Sequence, residues 1–314
     1  MMTIGLIGTF IRDRIVMLDG SEVKSIGGLY HSLANAAFLA PDGMRLLPVA
    51  RVGADFWLDI QAMISELPQV DGQRLIRDEQ PNTLVTLIYK SPNRRDEIST
   101  QPMRPLSTDD VLPLRQADAV LVNMITGEDI SREALQWLAE NSAALLYFDL
   151  HTMALDRDEA GRRVFRKPPD WQEWLRLVDF VQMNQEEARL LADLDSEYNI
   201  AGFRQFMHEV LTTLDCRGMN ITLGENGALA GLYMNGNDVE IRHIPVPNSI
   251  EPVDIIGCGD AFSAAFLIHY LQTADFFQAV EFGNRIASLN TTFKGSINRE
   301  KFNQYVRPYA HLEA

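Results

Sequence analysis

Near its C-terminal end the chain reads Asp254-Ile255-Ile256-Gly257-Cys258-Gly259-Asp260-Ala261-Phe262, a Gly-X-Gly turn followed by an almost unbroken apolar run to residue 271. The run predicts a buried helix that begins at the turn. Two glycines at a helix N-terminus leave backbone N–H groups unpaired and let a ligand approach without a Cβ in the way. These donors and the positive end of the helix dipole predict an anion site at Gly257, Cys258 and Gly259.

Asp260 lies in the first turn of this helix, beside the predicted anion. Repulsion makes this a poor position for a carboxylate that only helps to bind phosphate. It suits a base that takes a proton from a hydroxyl attacking the phosphate. The alternative is an ordinary first-turn acid behind a glycine loop. The turn alone favours that alternative, because Gly-X-Gly-Asp is a short and common sequence.

Composition limits the class of protein. The 314 residues are 46% hydrophobic, which is enough to bury a large core in one large α/β domain or two smaller ones. The net charge of −15 and the pI near 4.8 argue against nucleic acid or an anionic membrane as a partner. The two cysteines, Cys216 and Cys258, indicate a reducing compartment. Because no apolar run approaches the ~20 residues of a membrane span and the N-terminus does not read as a signal peptide, we expect a cytoplasmic protein.

From about residue 118, apolar strand candidates alternate with helix candidates, which predicts a parallel sheet covered by helices on both faces. Two earlier β-rich pieces, 13–25 and 83–89, lack such helices and predict a separate small sheet. The first of them carries a hairpin signal at Asp19-Gly20. Strands are predicted at 4–8, 46–52, 119–122, 144–148, 180–182 and 219–223, and helices at 29–39, 57–66, 131–140, 185–192 and 200–211.

Asn184 and Glu187 lie three residues apart at the start of a predicted helix that follows a buried strand. They therefore point the same way, at the carboxyl edge of a parallel sheet, where open α/β folds bind ligands. An amide and a carboxylate at this place can hold hydrated Mg²⁺ against nucleotide phosphates. The alternative is an N-cap Asn followed by first-turn acids, which the segment alone would favour. With the glycine turn in the same chain, we favour the magnesium site.

Thr222, Gly224 and Gly227 follow another predicted strand and form a glycine-bearing turn. Such a turn lets backbone N–H groups and the Thr222 hydroxyl meet a phosphate. A plain hairpin turn at 225–227 explains the glycines equally well, and nothing here is similar to a Walker loop or a full Gly-X-Gly-X-X-Gly motif.

The stretch from Asp254 to Phe262 resembles the C-terminal signature of the ribokinase-like, or PfkB, carbohydrate kinases, usually Asp-Thr-Thr-Gly-Ala-Gly-Asp-Ala-Phe. It departs from that signature at Ile255, Ile256 and Cys258. Other segments resemble further motifs of the family and follow one another in the family's order. They are Gly27-Gly28, residues 52–55, residues 179–188 with an Asn-X-X-Glu segment, residues 221–228, and residues 282–296, which are similar to the helix and loop that close over the nucleotide base.

The resemblance implies a doubly wound α/β/α sandwich with a mostly parallel central sheet and a small β lid. Residues 1–314 would form one kinase domain, with lid segments at about 12–26 and 70–105. The implied ligands are ATP, Mg²⁺, a small-molecule sugar or nucleoside and, as in many relatives, a monovalent cation such as K⁺ beside Asp254. A homodimer formed through the lid is a further expectation.

The resemblance also assigns roles to residues. Asp260 becomes the base, and Gly257, Cys258 and Gly259 become the anion hole. Nucleotide or its Mg²⁺ is expected at Asn184, Glu187, Thr222, Gly224, Gly227, Asn284 and Ser288, and the substrate at Asp13, Gly27, Gly28 and Ser32.

Two details qualify the substrate side. Asp13 would bind substrate hydroxyls, and its alternative is a solvated acid between Arg12 and Arg14. Ser32 stands where the family usually has Asn, which affects the identity of the substrate more than the chemistry. His31, near the predicted pocket, and His151, at a strand end, are candidates to line the site, but the default interpretation of both is a surface or core histidine.

The implied function is ATP-dependent phosphorylation of a hydroxymethyl group of a sugar or sugar-like alcohol. A nucleoside kinase of the same family is one alternative. A catalytically silent member with a regulatory role is another; the retained Gly257, Gly259 and Asp260 argue against it, while Ile255 and Ile256 leave room for it.

Overall fold

A large sheet and a small sheet organise the computed structural model, which describes residues 1–91, 94–195, 199–246 and 252–310. The strands are β1 (Thr3–Ile7), β2 (Phe10–Val16), β3 (Glu22–Gly28), β4 (Arg45–Val49), β5 (Arg51–Gly53), β6 (Ile76–Asp78), β7 (Leu84–Ser91), β8 (Arg94–Ser99), β9 (Ala119–Asn123), β10 (Leu145–Asp149), β11 (Leu155–Arg157), β12 (Arg163–Phe165), β13 (Phe180–Asn184), β14 (Gly218–Thr222), β15 (Ala228–Asn235) and β16 (Asp238–Ile244).

The large sheet has eight strands in the order β16-β15-β14-β13-β10-β9-β1-β4. The six strands from β14 to β4 are parallel, and β15 and β16 add an antiparallel edge. The chain crosses from β1 to β4 on one side and later returns to β9 on the other. The strand order therefore reverses between β1 and β9, and such a reversal opens a crevice at the carboxyl ends of the strands.

Helices cover both faces of this sheet. On β9, Leu121 packs in one apolar layer, together with the helices that begin at Leu29, Cys258 and Phe276. Val120 and Val122 pack in the opposite layer, together with the helices that begin at Arg132 and Ile200. This alternation confirms the predicted doubly wound α/β/α fold. The helices are α1 (Leu29–Leu39), α2 (Trp57–Ser65), α3 (Thr108–Val111), α4 (Arg132–Asn141), α5 (Trp171–Leu175), α6 (Gln185–Leu191), α7 (Ile200–Thr213), α8 (Cys258–Thr273), α9 (Phe276–Asn290) and α10 (Arg299–Lys301).

The small sheet has the order β3-β2-β7-β8 and forms the lid. β2 and β3 are joined by the predicted hairpin, in which the Asp19 carboxylate accepts a hydrogen bond from the Ser21 amide at 2.9 Å. The inner face of the lid carries Ile11 and Val85, which pack against Ile125 of the body. Burying these side chains fixes the lid over the carboxyl ends of the central strands.

Three parts of the fold differ from the sequence-based expectation. The lid strands span 10–28 and 84–99, while β6 lies outside the lid and pairs with β5. The predicted strand 46–52 is broken at Ala50, because the chain leaves the central sheet there and Ala50 accepts a hydrogen bond from the Ile76 amide at 2.9 Å. A short hairpin, β11–β12, lies beside β8, joined by the Ser99 amide and the Gly161 carbonyl at 2.9 Å.

The predicted helix after the glycine turn is α8. Its residues 260–268 are all buried, because it packs against both α1 and α9. Within the described part of the chain, no helix combines the length and apolar character needed to cross a bilayer.

Candidate active site

A cleft of about 410 Å³ lies between the lid and the carboxyl ends of β10, β13 and β14. It brings together residues that are far apart in sequence, from β2 to the start of α8. Nine predicted site residues line it, namely Asp13, Gly28, Asn184, Glu187, Thr222, Gly257, Cys258, Gly259 and Asp260. Among the described residues, Gly27, Ser32, Gly224, Gly227, Asp254, Asn284 and Ser288 were also predicted but are not part of this lining.

The glycine turn has the geometry of an anion site. Gly257 has a φ of +76°, and a Cβ there would lie 2.8 Å from Nδ1 of His31, so both its backbone and its surroundings require glycine. A Cβ on Gly259 would meet nothing nearer than Nε2 of Gln182 at 3.7 Å, which leaves this face open to a ligand. Because α8 begins at Cys258, the amides of its first turn have no intrahelical acceptor, although that of Cys258 donates to the Ile255 carbonyl at 3.4 Å. Burial raises the pKa of Cys258 to about 12, so its thiol stays neutral.

Asp260 is buried but held in a fixed orientation. Its Oδ1 accepts hydrogen bonds from Oγ of Ser32 at 2.8 Å and from Nδ2 of Asn123 at 2.6 Å. The same Asn123 amide also contacts the Ser32 hydroxyl at 2.9 Å. With Oδ1 occupied in this way, Oδ2 is the atom that remains for a ligand in the described structure. Ser32 therefore contacts Asp260 and is not part of the cleft lining, and its predicted contact with the substrate stays a prediction.

Asp13 and Gly28 line the cleft on the lid side, and Gly27 lies next to them. A Cβ on Gly27 would lie 2.2 Å from Oδ2 of Asp13, and one on Gly28 would lie 2.3 Å from the Thr9 carbonyl. Gly28 also has a φ of +62°. Glycine at 27 therefore leaves room for the carboxylate of Asp13, whereas Gly28 is required by its own backbone conformation and by the Thr9 carbonyl.

Asn184 and Glu187 form a capping box at the start of α6, which is the arrangement expected of the alternative interpretation. The Asn184 amide N–H donates to Oε2 of Glu187 at 2.8 Å, and its Nδ2 donates to Oε1 at 2.6 Å. Both side chains nevertheless line the cleft. The capping box is compatible with binding of hydrated Mg²⁺, because the water molecules around the ion need only hydrogen-bond acceptors from the protein.

Two buried acids of the cleft, Asp149 and Glu187, have raised pKa values. Burial, and then the nearby charge of Asp260, raise the pKa of Asp149 to about 8. Burial and the charge of Asp149 raise the pKa of Glu187 well above its usual value. A positive ligand placed between these carboxyls would release protons as it binds.

The predicted nucleotide turn is a tight hairpin between β14 and β15. Thr222 lines the cleft, and Gly224 and Gly227 have φ values of +57° and +84°. A Cβ on Gly227 would lie 2.1 Å from the Ile244 carbonyl, so this glycine is required by chain packing. Asn284 is buried and donates to the same carbonyl at 2.9 Å.

Two further predicted residues lie beside the cleft. The Ser288 carbonyl accepts a hydrogen bond from Oγ1 of Thr291 at 2.7 Å, at the end of α9. Asp254 lines a neighbouring cavity of about 770 Å³, which it shares with Asp13 and His31.

Residues without an assigned role in the sequence-based interpretation also line the cleft or support it, His31 among them. Asn123 supports Asp260, and Asp149 lines the cleft. His151, whose default interpretation was a surface or core histidine, also lines it, and burial lowers the pKa of this imidazole although the charge of Asp260 opposes that effect. Arg163 of the β11–β12 hairpin brings a cation, paired with Glu97 at 3.5 Å.

Comparison with known proteins shows the family to which the chain belongs. The model of the pfkB family of carbohydrate kinases matches residues 48–302. No curated protein matches the chain.

Solved structures with the same fold share little sequence with the chain. Ribokinase from Giardia lamblia has a TM-score of 0.75 at 18% identity, covering 97% of this chain and 99% of its own. Adenosine kinase from Sinorhizobium meliloti has a TM-score of 0.72 at 17% identity, covering 98% of each chain. A pyrophosphate-dependent kinase in the ribokinase family, complexed with a pyrophosphate analog and myo-inositol, has a TM-score of 0.74 at 15% identity and covers 96% and 99%. Because the family model matches most of the chain, the protein belongs to the PfkB family of carbohydrate kinases and is a kinase.

Proposed function

We propose that this kinase transfers the terminal phosphoryl group of ATP to a hydroxymethyl group of a sugar or sugar-like alcohol. The observation that carries the proposal is the orientation of Asp260. Its Oδ1 is held by Ser32 and Asn123, and the carboxylate faces the same cleft as Asp13. A fixed carboxylate beside a helix N-terminus is the arrangement needed to align a hydroxyl with a phosphate.

In the proposed mechanism, Asp13 binds hydroxyls of the acceptor and Asp260 accepts the proton of the reacting hydroxyl as the new P–O bond forms. The backbone N–H groups at Gly257, Cys258 and Gly259 stabilise the charge on the transferred group. A carboxylate in this position is a weak base. Alignment and charge neutralisation therefore account for most of the rate, and proton acceptance comes late.

Mg²⁺ fits the opposite wall of the cleft. Buried, proton-retaining carboxyls at Asp149 and Glu187, together with the Asn184 amide, form an oxygen-rich surface of the kind that holds a hydrated divalent ion. When bound, the ion would neutralise phosphate charge. The chain's part is to hold the ion's water shell with Asn184 and Glu187.

ATP is the proposed donor, with the adenosine toward Thr222 and the β14–β15 turn. A pyrophosphate donor is the specific competitor, because one structural neighbour is a pyrophosphate-dependent kinase. The other residues predicted to bind the nucleotide lie outside the described cleft lining, namely Gly224, Gly227, Asn284 and Ser288. They would contact the nucleotide base only if the base extends beyond the cleft onto the neighbouring surface.

A nucleoside is the second candidate acceptor, supported by the likeness to an adenosine kinase. Asp13 suits a vicinal diol in either class, since an ionised carboxylate accepts two hydroxyl hydrogen bonds. We favour a sugar because Ile11, Val85 and Leu87 line the cleft with aliphatic surface, and Phe165 is the one Phe, Tyr or Trp side chain in the described part of this lining, so no pair of these side chains encloses a base.

We further propose that residues 1–314 act as one cytoplasmic kinase domain. The lid supports a homodimer, because Met17, Leu18 and Val23 are exposed apolar side chains near its hairpin.

A panel assay tests the proposed function. Sugars, myo-inositol and nucleosides would each be supplied with Mg²⁺ and either ATP or pyrophosphate, and phosphorylated product would be measured directly. We expect the highest kcat/KM with ATP and a free sugar, and loss of turnover in Asp260→Asn. Folded protein that phosphorylates nothing in the panel would favour the silent alternative.

A further inference from the structure

Lys301 of α10 reaches back to the loop that follows α9. Its Nζ donates to the carbonyl oxygens of Lys294 and Ser296, both at 2.7 Å. The ammonium also lies 5.4 Å from the ring centre of Phe293. Two carbonyls, an aromatic face and a half-buried position together make a built site for one positive charge.

The same loop is connected to the anion site by Asp254. Oδ2 of Asp254 accepts a hydrogen bond from the Gly295 amide at 2.9 Å, and Oδ1 accepts one from the Ile256 amide at 3.0 Å. Ile256 directly precedes Gly257, which begins the turn at α8. One carboxylate therefore joins the loop held by Lys301 to the segment that presents the anion hole.

A second connection runs through Ser296. Its hydroxyl donates to the Ile26 carbonyl at 3.1 Å and lies 3.2 Å from Nδ1 of His31. His31 in turn occupies the space next to Gly257 where a side chain would otherwise stand. Displacing the Ser296 backbone would therefore disturb the support of the turn from a second direction.

The monovalent cation that the resemblance implies beside Asp254 does not fit these residues. Backbone carbonyls around a carboxylate are the donors that such an ion would need, but the carbonyls of Lys294 and Ser296 already converge on an ammonium. The charge of Asp254 favours the protonated amine, against the effect of burial, which lowers the pKa of Lys301.

We propose that Lys301 is a positioning residue that takes the place of the monovalent cation. It holds residues 294–296 and, through Asp254, the backbone of the anion hole, so that phosphoryl transfer in this chain does not depend on K⁺. The role in catalysis rests on the proposed function, whereas the cation site itself does not.

The test compares Lys301→Ala with Lys294→Ala, a matched control that removes an exposed lysine from the same loop. Initial rates and melting temperatures would be measured in chloride salts of K⁺, NH₄⁺, Na⁺ and N-methylglucamine at constant ionic strength. For the wild type and Lys294→Ala we expect rates within about twofold in all salts. For Lys301→Ala we expect kcat to fall about 10-fold or more in Na⁺, because a small displacement of the anion hole is costly. We also expect partial recovery of its rate, and a higher melting temperature, in K⁺ or NH₄⁺.

Strong K⁺ activation of the wild type would overturn the proposal. So would a Lys301→Ala variant that behaves like Lys294→Ala, or one whose defect no cation relieves. If Lys301→Ala does not fold, Lys301→Gln and the wild-type salt response decide the question. The melting measurements need no acceptor, so they remain decisive even if the proposed reaction fails.

Discussion

Replacing Asp149 by Asn should remove a strong pH dependence from the stability of the fold. Asp149 is 2% exposed, and its Oδ2 lies 2.9 Å from Oγ of Ser263. Burial, with the nearby charge of Asp260, raises its pKa from 3.8 to about 8. In the unfolded chain the same carboxyl titrates near its ordinary value, so folding between these two values takes up a proton.

The sign and size follow from that difference. Because the folded-state pKa is the raised one, the stabilisation is fully present below about pH 4 and is lost as the pH rises toward 8. Well below pH 8 the free energy of unfolding falls by about 1.4 kcal/mol per pH unit, and the loss between pH 6 and pH 8, where the folded carboxyl becomes half ionised, is about 2.3 kcal/mol. Asn has nearly the same size and can still hydrogen-bond to Ser263, but it has no proton to exchange.

Urea denaturation at pH 6, 7 and 8 would measure the effect. We expect the wild type to lose about 2.3 kcal/mol more than Asp149→Asn across this interval, and Asp42→Asn, at an exposed acid, to follow the wild type. Glu187, whose pKa is also raised, contributes in the same direction in all three proteins. Since Asp149 is one cause of the Glu187 shift, the variant should also weaken that contribution. Parallel stability curves for the wild type and Asp149→Asn would refute the reasoning.

Four further substitutions test the site. Asp260→Asn should lower kcat by a factor on the order of 10² or more with donor affinity retained, and near-normal turnover would remove Asp260 from the mechanism. Asn123→Ala should lower kcat about 10-fold with little change in acceptor KM, because it frees Oδ1 of Asp260; a change in KM alone would place Asn123 in binding instead. Glu187→Gln should raise the Mg²⁺ concentration for half-maximal rate, and a titration that overlays the wild type would leave Glu187 as a capping residue only. Asp13→Ala should raise KM for the acceptor far more than KM for ATP, and nucleosides with higher kcat/KM than any sugar would contradict the carbohydrate assignment.

The parts of the fold that the sequence predicts well depend on local patterns. The helix 29–39 was expected and is found as Leu29–Leu39, and the strand 119–122 is found as Ala119–Asn123. Buried parallel strands are continuously apolar, and amphipathic helices have a clear period, so both are visible in a short window. The hairpin at Asp19-Gly20 was equally visible from its turn residues.

The parts that differ are decided by distant partners. Nothing in residues 46–52 signals that the strand breaks at Ala50, because the break depends on pairing between β5 and β6, some 25 residues later. The strands of the β11–β12 hairpin are three residues long each and are half-buried or exposed, so they are too short to show a hydrophobic period. The hairpin forms beside β8 through backbone hydrogen bonds, to which side-chain identity contributes little.

The site residues also fall into those that a local pattern predicts and those that depend on distant parts of the chain. The glycine turn at 257–259 could be recognised in the sequence, because its backbone geometry at Gly257 is one that favours glycine. Asn123 and Asp149 were missed, yet each is the polar residue that ends a buried parallel strand, as Asn184 is. Asn123 and Asp149 are register partners on adjacent strands, so their side chains meet at one sheet edge. Treating every polar strand-ending residue as a site candidate would have found them.

Lys301 had no comparable signal. Its role depends on the direction in which α10 places one long side chain. The acceptors of that side chain are backbone carbonyls, which every residue type has, so the sequence does not indicate them. The structure therefore changes the chemical expectation at this point: the motif around Asp254 suggests an external cation, while the three-dimensional arrangement supplies a covalently attached one. The same carboxylate can serve both arrangements, because what it needs is a positive charge on the far side of the loop. Whether K⁺ or an ammonium provides that charge is decided by a residue that lies 47 positions from Asp254 in the chain.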